Sequence, residues 1–298
     1  MPHRIIVLGI LRSGTSLTAE LVRRWGAYAG GESDLWQANV NGPRGYLGYM
    51  EYISLQDFND MLLDNNDRVP TRPELLEKKA LEPELREKAL ELISNMDAEA
   101  AGQSFDAWIW KDARLPLTLP FWGKIWEDVI YVIPVRHPVE TILSAAKTEG
   151  LEADQVPLSA GFAYWQFSML NMLLFTEKSN RKIFIAYDQL IQNPQQESAR
   201  LCRFLDAQCG RSSENFGERI DFMANQVSIS KRHFKHPKSL AEIDTTTREQ
   251  RALYNFLRVK TMYSDEAFNP NDFTLYPGWQ EYLQAMDALV SMMQSQEN

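Results

Sequence analysis

Cysteine is almost missing from this 298-residue chain, which carries only Cys202 and Cys209. Two thiols are too few for a disulfide framework, and they lack zinc-ligand spacing. They read as ordinary thiols of a reduced, cytoplasmic protein. No run of about eighteen apolar residues exists, so no segment reads as a membrane span. The apolar start, IIVLGIL, is short and has no small-residue cleavage site. It runs straight into a glycine loop, so it reads as a first strand and not as a signal peptide. Positive charge is also in deficit. The net charge of −9 argues against non-specific binding to nucleic acid or to an anionic membrane. It leaves room for a local basic pocket and for a cationic substrate.

What remains is ordinary globular material: 44% hydrophobic and 24% charged residues, enough for a sizeable core. There is no internal repeat or low-complexity linker, so one domain over residues 1–298 is expected. Its core would span 1–207, with a helical and loop region over 208–298. Apolar runs recur as IIVLG from Ile5, AWIW from Ala107, VIYVIPV from Val129 and KIFIAY from Lys182. None alternates polar with apolar, so each reads as a strand buried on both faces. Helical patterns lie between them, at Leu17–Trp25, Ile53–Leu63, Pro83–Ala100, Val139–Lys147, Leu158–Glu177 and Pro194–Leu205. The helix after Pro83 is highly charged and reads as an exposed layer. Asn65–Lys79 reads as loop. Beyond Asp206 the chain reads as irregular until helices near Thr246–Met262 and Trp279–Met293. Alternating strands and helices predict an α/β three-layer sandwich around a parallel sheet.

The first strand opens into G-x-x-x-x-G-x-S from Gly9. This is the spacing of a nucleotide-binding P-loop, in which a helix N-terminus presents unpaired N–H groups to an anion. The lysine that would grip a β/γ-phosphate is missing, because Thr15 stands there, and Arg12 sits earlier in the loop. Ser13, Gly14, Thr15 and Ser16 complete the anion-binding set. In VIYVIPVRHPVETILSA, Arg136 leaves a strand end and Ser144 lies two turns into the next helix. Both can converge on one phosphate at the carboxyl edge of the sheet.

These motifs together resemble the sulfotransferases that use 3′-phosphoadenosine 5′-phosphosulfate (PAPS). Arg12 aligns with the basic residue of their P-[KR]-S-G-T-[ST] loop, which implies a P-loop-like 5′-phosphosulfate site. Arg136 and Ser144 fit their R-[NHD]-P motif and later serine, which implies a 3′-phosphate site. IFIAYDQLIQNP is similar to their Y-[ED]-x-L segment, so Tyr187 is expected beside the adenine. WIWKDARLPLTLPFW resembles the K-D-P-R-L segment of the bacterial branch, with Ala113 in place of proline. NGPRGYLGYMEY resembles that branch's N-P-K-G-Y-x-E segment, which aligns Glu51 with the family glutamate. The resemblance runs in family order from Ile5 to Leu205.

The resemblance implies sulfuryl transfer to a small-molecule acceptor, with release of adenosine 3′,5′-bisphosphate and without a metal. The acceptor is expected to be a hydroxyl or an amino or guanidinium nitrogen. Arg12 and the backbone amides of residues 12–16 would stabilise the departing 5′-phosphate, with Lys111 across the sulfuryl group. No histidine stands in the K-T-H position of the cytosolic enzymes. The candidates for general base are Asp112 first, Glu51 second and His233 third. His233 and His236 form H-x-x-H, but two ligands do not make a metal site. The basic run SKRHFKHPK offers Lys231 and Arg232 to the 3′-phosphate. His137 is expected to orient the turn of Arg136. Glu32, Asp34, Glu51, Asp57, Asp60, Asp64 and Asp67 lie among Trp36, Tyr46, Tyr49 and Tyr52. Carboxylates among aromatic faces suit a cationic natural product, such as a saxitoxin-type alkaloid. A neutral alcohol or glycan, a P-loop kinase or NTPase, and a non-catalytic nucleotide-binding module are the alternatives.

Overall fold

Four short apolar strands form the centre of the computed structural model, which describes residues 1–31, 34–35, 51–64, 71–148, 150, 156, 158–212, 214–227 and 240–262. They are β1 (His3–Val7), β2 (Ala107–Lys111), β3 (Val129–Val135) and β4 (Lys182–Ala186), where the apolar runs place them. All pair in parallel, in the order β2-β1-β3-β4. Alternate side chains enter two separate cores. Ile5, Val7, Ile109, Ile130, Val132 and Ile183 face one, while Ile6, Trp108, Trp110, Tyr131, Ile133 and Phe184 face the other. Neither face meets water, which is why the strands read as continuous apolar runs.

The first core is covered by α1 (Thr15–Trp25), α8 (Tyr187–Gln192), α9 (Pro194–Cys209) and α10 (Phe216–Ala224). The second is covered by α2 (Ile53–Leu62), α3 (Pro73–Lys79), α4 (Pro83–Gly102), α5 (Leu115–Trp122), α7 (Leu158–Phe175) and α11 (Arg248–Met262). After β3, α6 (Pro138–Thr148) packs on α7 through Val139, Ile142 and Phe162. Under β2 the second core is aromatic: Trp122 stacks on Trp126 with centroids 5.2 Å apart, and Trp110 meets Trp122 edge-on at 4.8 Å. Such pairs add about 1 kcal/mol each beyond simple burial.

The structure corrects four expectations. Pro73 starts a helix, α3, inside the stretch read as loop, and Leu76 anchors it in the core. The charged α4 is not merely an exposed layer, because Ala89, Leu92, Ile93, Met96 and Ala100 line a buried face. LPLTLPFW, not read as helical, forms α5: Pro116 falls in the first turn, where its missing N–H costs nothing. Beyond Asp206 the chain is not simply irregular, because α9 continues to Cys209 and α10 follows. The expected helix at Trp279–Met293 lies outside the described residues. No helix among the described residues is long and apolar enough to cross a membrane.

Asp206 explains how α10 is held. Its carboxylate accepts from Trp25 Nε1 at 2.8 Å and from both terminal nitrogens of Arg219 at 2.7 and 2.8 Å. One buried acid therefore joins α1, α9 and α10. Asp206→Ala strands an indole N–H and a guanidinium. It is expected to lower the unfolding free energy by about 3 kcal/mol, read as a lower urea midpoint at unchanged m-value.

Candidate functional site

Parallel strands end on one edge, so the sheet order decides which loops meet. Lys111 closes β2 in register with Val7 of β1. Val135 pairs with Ala186, so Arg136 and Tyr187 leave β3 and β4 side by side. Along this edge the row reads Lys111, the loop after β1, Arg136 and Tyr187. The connections from β1 and β3 run in opposite directions, towards β2 and β4, which opens a crevice between their carboxyl ends.

The loop after β1 is tight. Ser13 donates both its N–H, at 3.2 Å, and its hydroxyl, at 2.7 Å, to the carbonyl of Ile10. Arg12 adopts φ 66° and Gly14 φ 103°, left-handed values that a side-chain-bearing residue such as Arg12 adopts only at a cost. A Cβ on Gly9 would lie 2.8 Å from Ser13 Oγ, and one on Gly14 would lie 2.5 Å from Tyr187 Cδ2. Both glycines are thus required by close approach. Gly14 caps α1, which starts at Thr15, so the N–H groups of the first turn, including those of Thr15 and Ser16, have no intrahelical acceptor.

Side chains from three strand ends converge on this loop. Arg12 Nε donates to Ser144 Oγ at 3.1 Å. Arg136 Nη1 donates to the Arg12 carbonyl at 3.0 Å, and its Nε donates to Glu140 at 3.2 Å. The Arg136 guanidinium lies 4.7 Å from the centroid of Tyr187. Arg136 and Ser144 are both buried. The structure therefore brings Arg12, Ser13, Gly14, Thr15, Ser16, Arg136, Ser144 and Tyr187 into one neighbourhood. Glu140 was missed: it stands in the first turn of α6, and its pairing with Arg136, which precedes that helix, depends on the turn between them. His137 presents its ring edge-on to Tyr254 of α11 at 5.2 Å, and its carbonyl accepts from Thr141.

A second cluster surrounds the end of β2. Lys111 Nζ bonds Glu51 Oε1 at 2.6 Å, and both side chains are buried. Glu51 is positioned by its neighbour: Tyr52 is buried under Gly30, forms a backbone bridge with Leu35 and caps α2. Asp112 is fully buried. Its Oδ2 accepts from Asn59 Nδ2 at 2.7 Å, and its Oδ1 accepts from the Arg114 amide at 2.8 Å and from Arg114 Nη1 at 3.3 Å. Asn59 cannot turn away, because its oxygen accepts from Trp122 Nε1 and Thr118 Oγ1. Arg114 also pairs with Asp60. Asn59 was not expected in the site, since its meeting with Asp112 depends on how α2 docks. Burial, and then the Glu51 charge, push the Asp112 carboxyl up to about 6 against the pull of Arg114 and Asn59.

His233, His236, Lys231 and Arg232 lie outside the described residues, as do Glu32, Trp36, Tyr46, Tyr49 and Asp67. Among the described residues, no group of three or more His, Cys, Asp or Glu side chains could hold a metal ion.

A family model described as the sulfotransferase family matches residues 2–209. Two solved structures are similar over nearly their full lengths. The sulfotransferase domain from the curacin biosynthetic pathway is 19% identical, covers 97% of this chain and 98% of its own, and has a TM-score of 0.41. The sulfotransferase domain from the Synechococcus PCC 7002 olefin synthase is 16% identical, with coverages of 97% and 94% and a TM-score of 0.44. No curated protein matches the chain.

The raised Asp112 pKa makes a signed prediction. The folded protein binds this proton more tightly than the unfolded chain, so Asp112 contributes stability at low pH that is lost as pH rises from about 4 through about 6. Urea unfolding of wild type and Asp112→Asn across pH 4–7 checks it. The stability of wild type relative to the variant is expected to fall across that window and then level off; a rise would mean that the ionised carboxylate is the favoured form.

Proposed function

The chain belongs to the sulfotransferase family, and we propose that it moves the sulfuryl group of PAPS to a hydroxyl of an uncharged small molecule, releasing adenosine 3′,5′-bisphosphate. The observation that carries this reading is the link between Arg12 and Ser144 and between Arg136 and the Arg12 carbonyl. It joins two basic groups from separate strand ends in one crevice, which suits a nucleotide with phosphates at two positions. The residues fit such a donor: the glycine-lined loop permits close approach, and the helix terminus supplies amides. A γ-phosphate grip is missing, because Thr15 is buried where a P-loop lysine would stand.

When bound, PAPS supplies an activated sulfuryl group with a phosphate as its leaving partner. The residues of the chain do the rest. The first-turn amides of α1, with Arg12, hold the 5′-phosphate and stabilise the charge that grows on it as the sulfur–oxygen bond breaks. Arg136 and Ser144 hold the 3′-phosphate. Lys111 offers its ammonium to the sulfuryl oxygens. Glu51 takes the acceptor proton as the new sulfur–oxygen bond forms. Asp112 is the less accessible candidate, since both its oxygens are occupied by donors fixed in the core.

Three of the seven acids that sequence alone assigns to a cationic acceptor are engaged within the protein. Glu51 pairs with Lys111, Asp60 with Arg114 and Asp64 with Lys79. The pairing of Glu51 and Asp60 beside the end of β2 supports an uncharged acceptor over a guanidinium one. Guanidinium analogues are therefore expected to inhibit turnover no better than neutral alcohols of equal size.

Two measurements test the assignment. Thermal shift is expected to show strong stabilisation by adenosine 3′,5′-bisphosphate and little by AMP or by ATP with magnesium; stabilisation by ATP with magnesium alone would overturn it in favour of a kinase-like site. Transfer of radiolabelled sulfate from PAPS to an alcohol panel is expected to fall about 100-fold or more in kcat in Glu51→Gln, with bisphosphate binding unchanged.

A further inference from the structure

We infer that Tyr187 is a positioning residue: it fixes the plane of the Arg136 guanidinium and thereby sets the preference for a nucleotide that carries a 3′-phosphate. The inference rests on the PAPS reading above. Sequence resemblance alone places this tyrosine beside the adenine. The structure gives its ring other neighbours. Tyr187 is only 7% exposed, so little of it is left for a base to stack on. Its edge meets Gly14, where a Cβ would come within 2.5 Å. The Arg136 guanidinium lies 4.7 Å from its centroid.

A guanidinium has five N–H donors in one plane, so a phosphate is bound well only when that plane is aimed correctly. Two hydrogen bonds, from Nε to Glu140 and from Nη1 to the Arg12 carbonyl, fix the rotation of Arg136 within its plane. Neither bond sets the tilt of the plane. The Tyr187 ring restrains that tilt, because a guanidinium over an aromatic face favours some orientations over others. The same ring abuts Gly14, so the loop after β1 and the arginine after β3 rest on a common support. Tyr187 can hold this place because α8 begins at Tyr187 itself, directly after β4, in register with Arg136.

The test is calorimetric titration of adenosine 3′,5′-bisphosphate and AMP into wild type, Tyr187→Phe and Tyr187→Met. Phenylalanine keeps the ring face, whereas methionine keeps most of the volume and loses it. Wild type and Tyr187→Phe are expected to share one preference for the bisphosphate. Tyr187→Met is expected to bind the bisphosphate about tenfold more weakly, with AMP affinity nearly unchanged. An equal loss for both nucleotides would mean that Tyr187 acts on a part they share, the adenine or the 5′-phosphate loop, and overturn the inference, as would no loss for either. If the methionine variant does not fold, 3,4,5-trifluorophenylalanine at position 187 weakens the ring's electrostatics at nearly constant shape. It is expected to reduce the bisphosphate preference about threefold relative to Tyr187→Phe; an unchanged preference would overturn the inference. A wild type that does not distinguish the two nucleotides would instead sink the PAPS reading.

Discussion

Arg136 is the constraint on which the site depends. A guanidinium taken almost entirely out of water costs several kcal/mol unless it is paired. Glu140, the Arg12 carbonyl and the Tyr187 ring offset that cost. The bond to the Arg12 carbonyl also acts on the loop. A left-handed arginine is strained by about 1–2 kcal/mol, while a hydrogen bond from a charged donor contributes about 1.5–3 kcal/mol. The hydrogen bond outweighs the strain, so the loop can hold its unusual turn before any ligand arrives. The two strand ends on either side of the switch point are thereby coupled: moving β3 relative to β1 breaks the bond that supports Arg12.

Charge is distributed unevenly along the sheet edge. Among the described residues around the crevice between β1 and β3, Arg12 bonds Ser144 and Arg136 pairs with the carboxylate of Glu140. Around the end of β2, Lys111 and Arg114 face three carboxylates, Glu51, Asp60 and Asp112. The first half is net positive and suits an anion. In the second, burial and then the Glu51 charge push the Asp112 carboxyl up to about 6 against the pull of its arginine. A phosphate in one half and a base in the other can coexist because the charges are sorted by strand.

Much of the fold was legible in the sequence. Each strand is an apolar run that only a doubly covered parallel sheet can bury, and the glycine spacing after β1 marks the tight turn into α1. The failures share a cause. α3 and α10 are short and polar, and they exist because distant side chains receive them: Leu76 enters the second core, and Asp206 captures Arg219. α5 carries two prolines, which local rules count against a helix, yet burial of Leu115, Leu119, Phe121 and Trp122 outweighs them. In the site, residue types were readable but partnerships were not. Nothing local to K-D-A-R says that Asn59, eight residues after the aligned glutamate, will occupy the aspartate.

That partnership separates two neighbouring carboxylates of similar chemistry. A raised pKa alone would name Asp112 the base, because such shifts gather at catalytic groups. Its geometry argues the other way. A base must receive a proton from outside and reach the group that gives it. Asp112 is enclosed, and its lone pairs are spent on a backbone amide, a guanidinium and an amide whose own oxygen is held by two further donors. Freeing an oxygen would loosen α2 from α5 and so displace Glu51, which lies just before α2. Glu51 is attached differently, through an ammonium on a long flexible stem, and its backbone is anchored separately by Tyr52. It can exchange its lysine contact for an acceptor hydroxyl without dismantling the core. The carboxylate with the perturbed titration therefore holds the site together, and the one tethered through Lys111 is the better placed to move a proton.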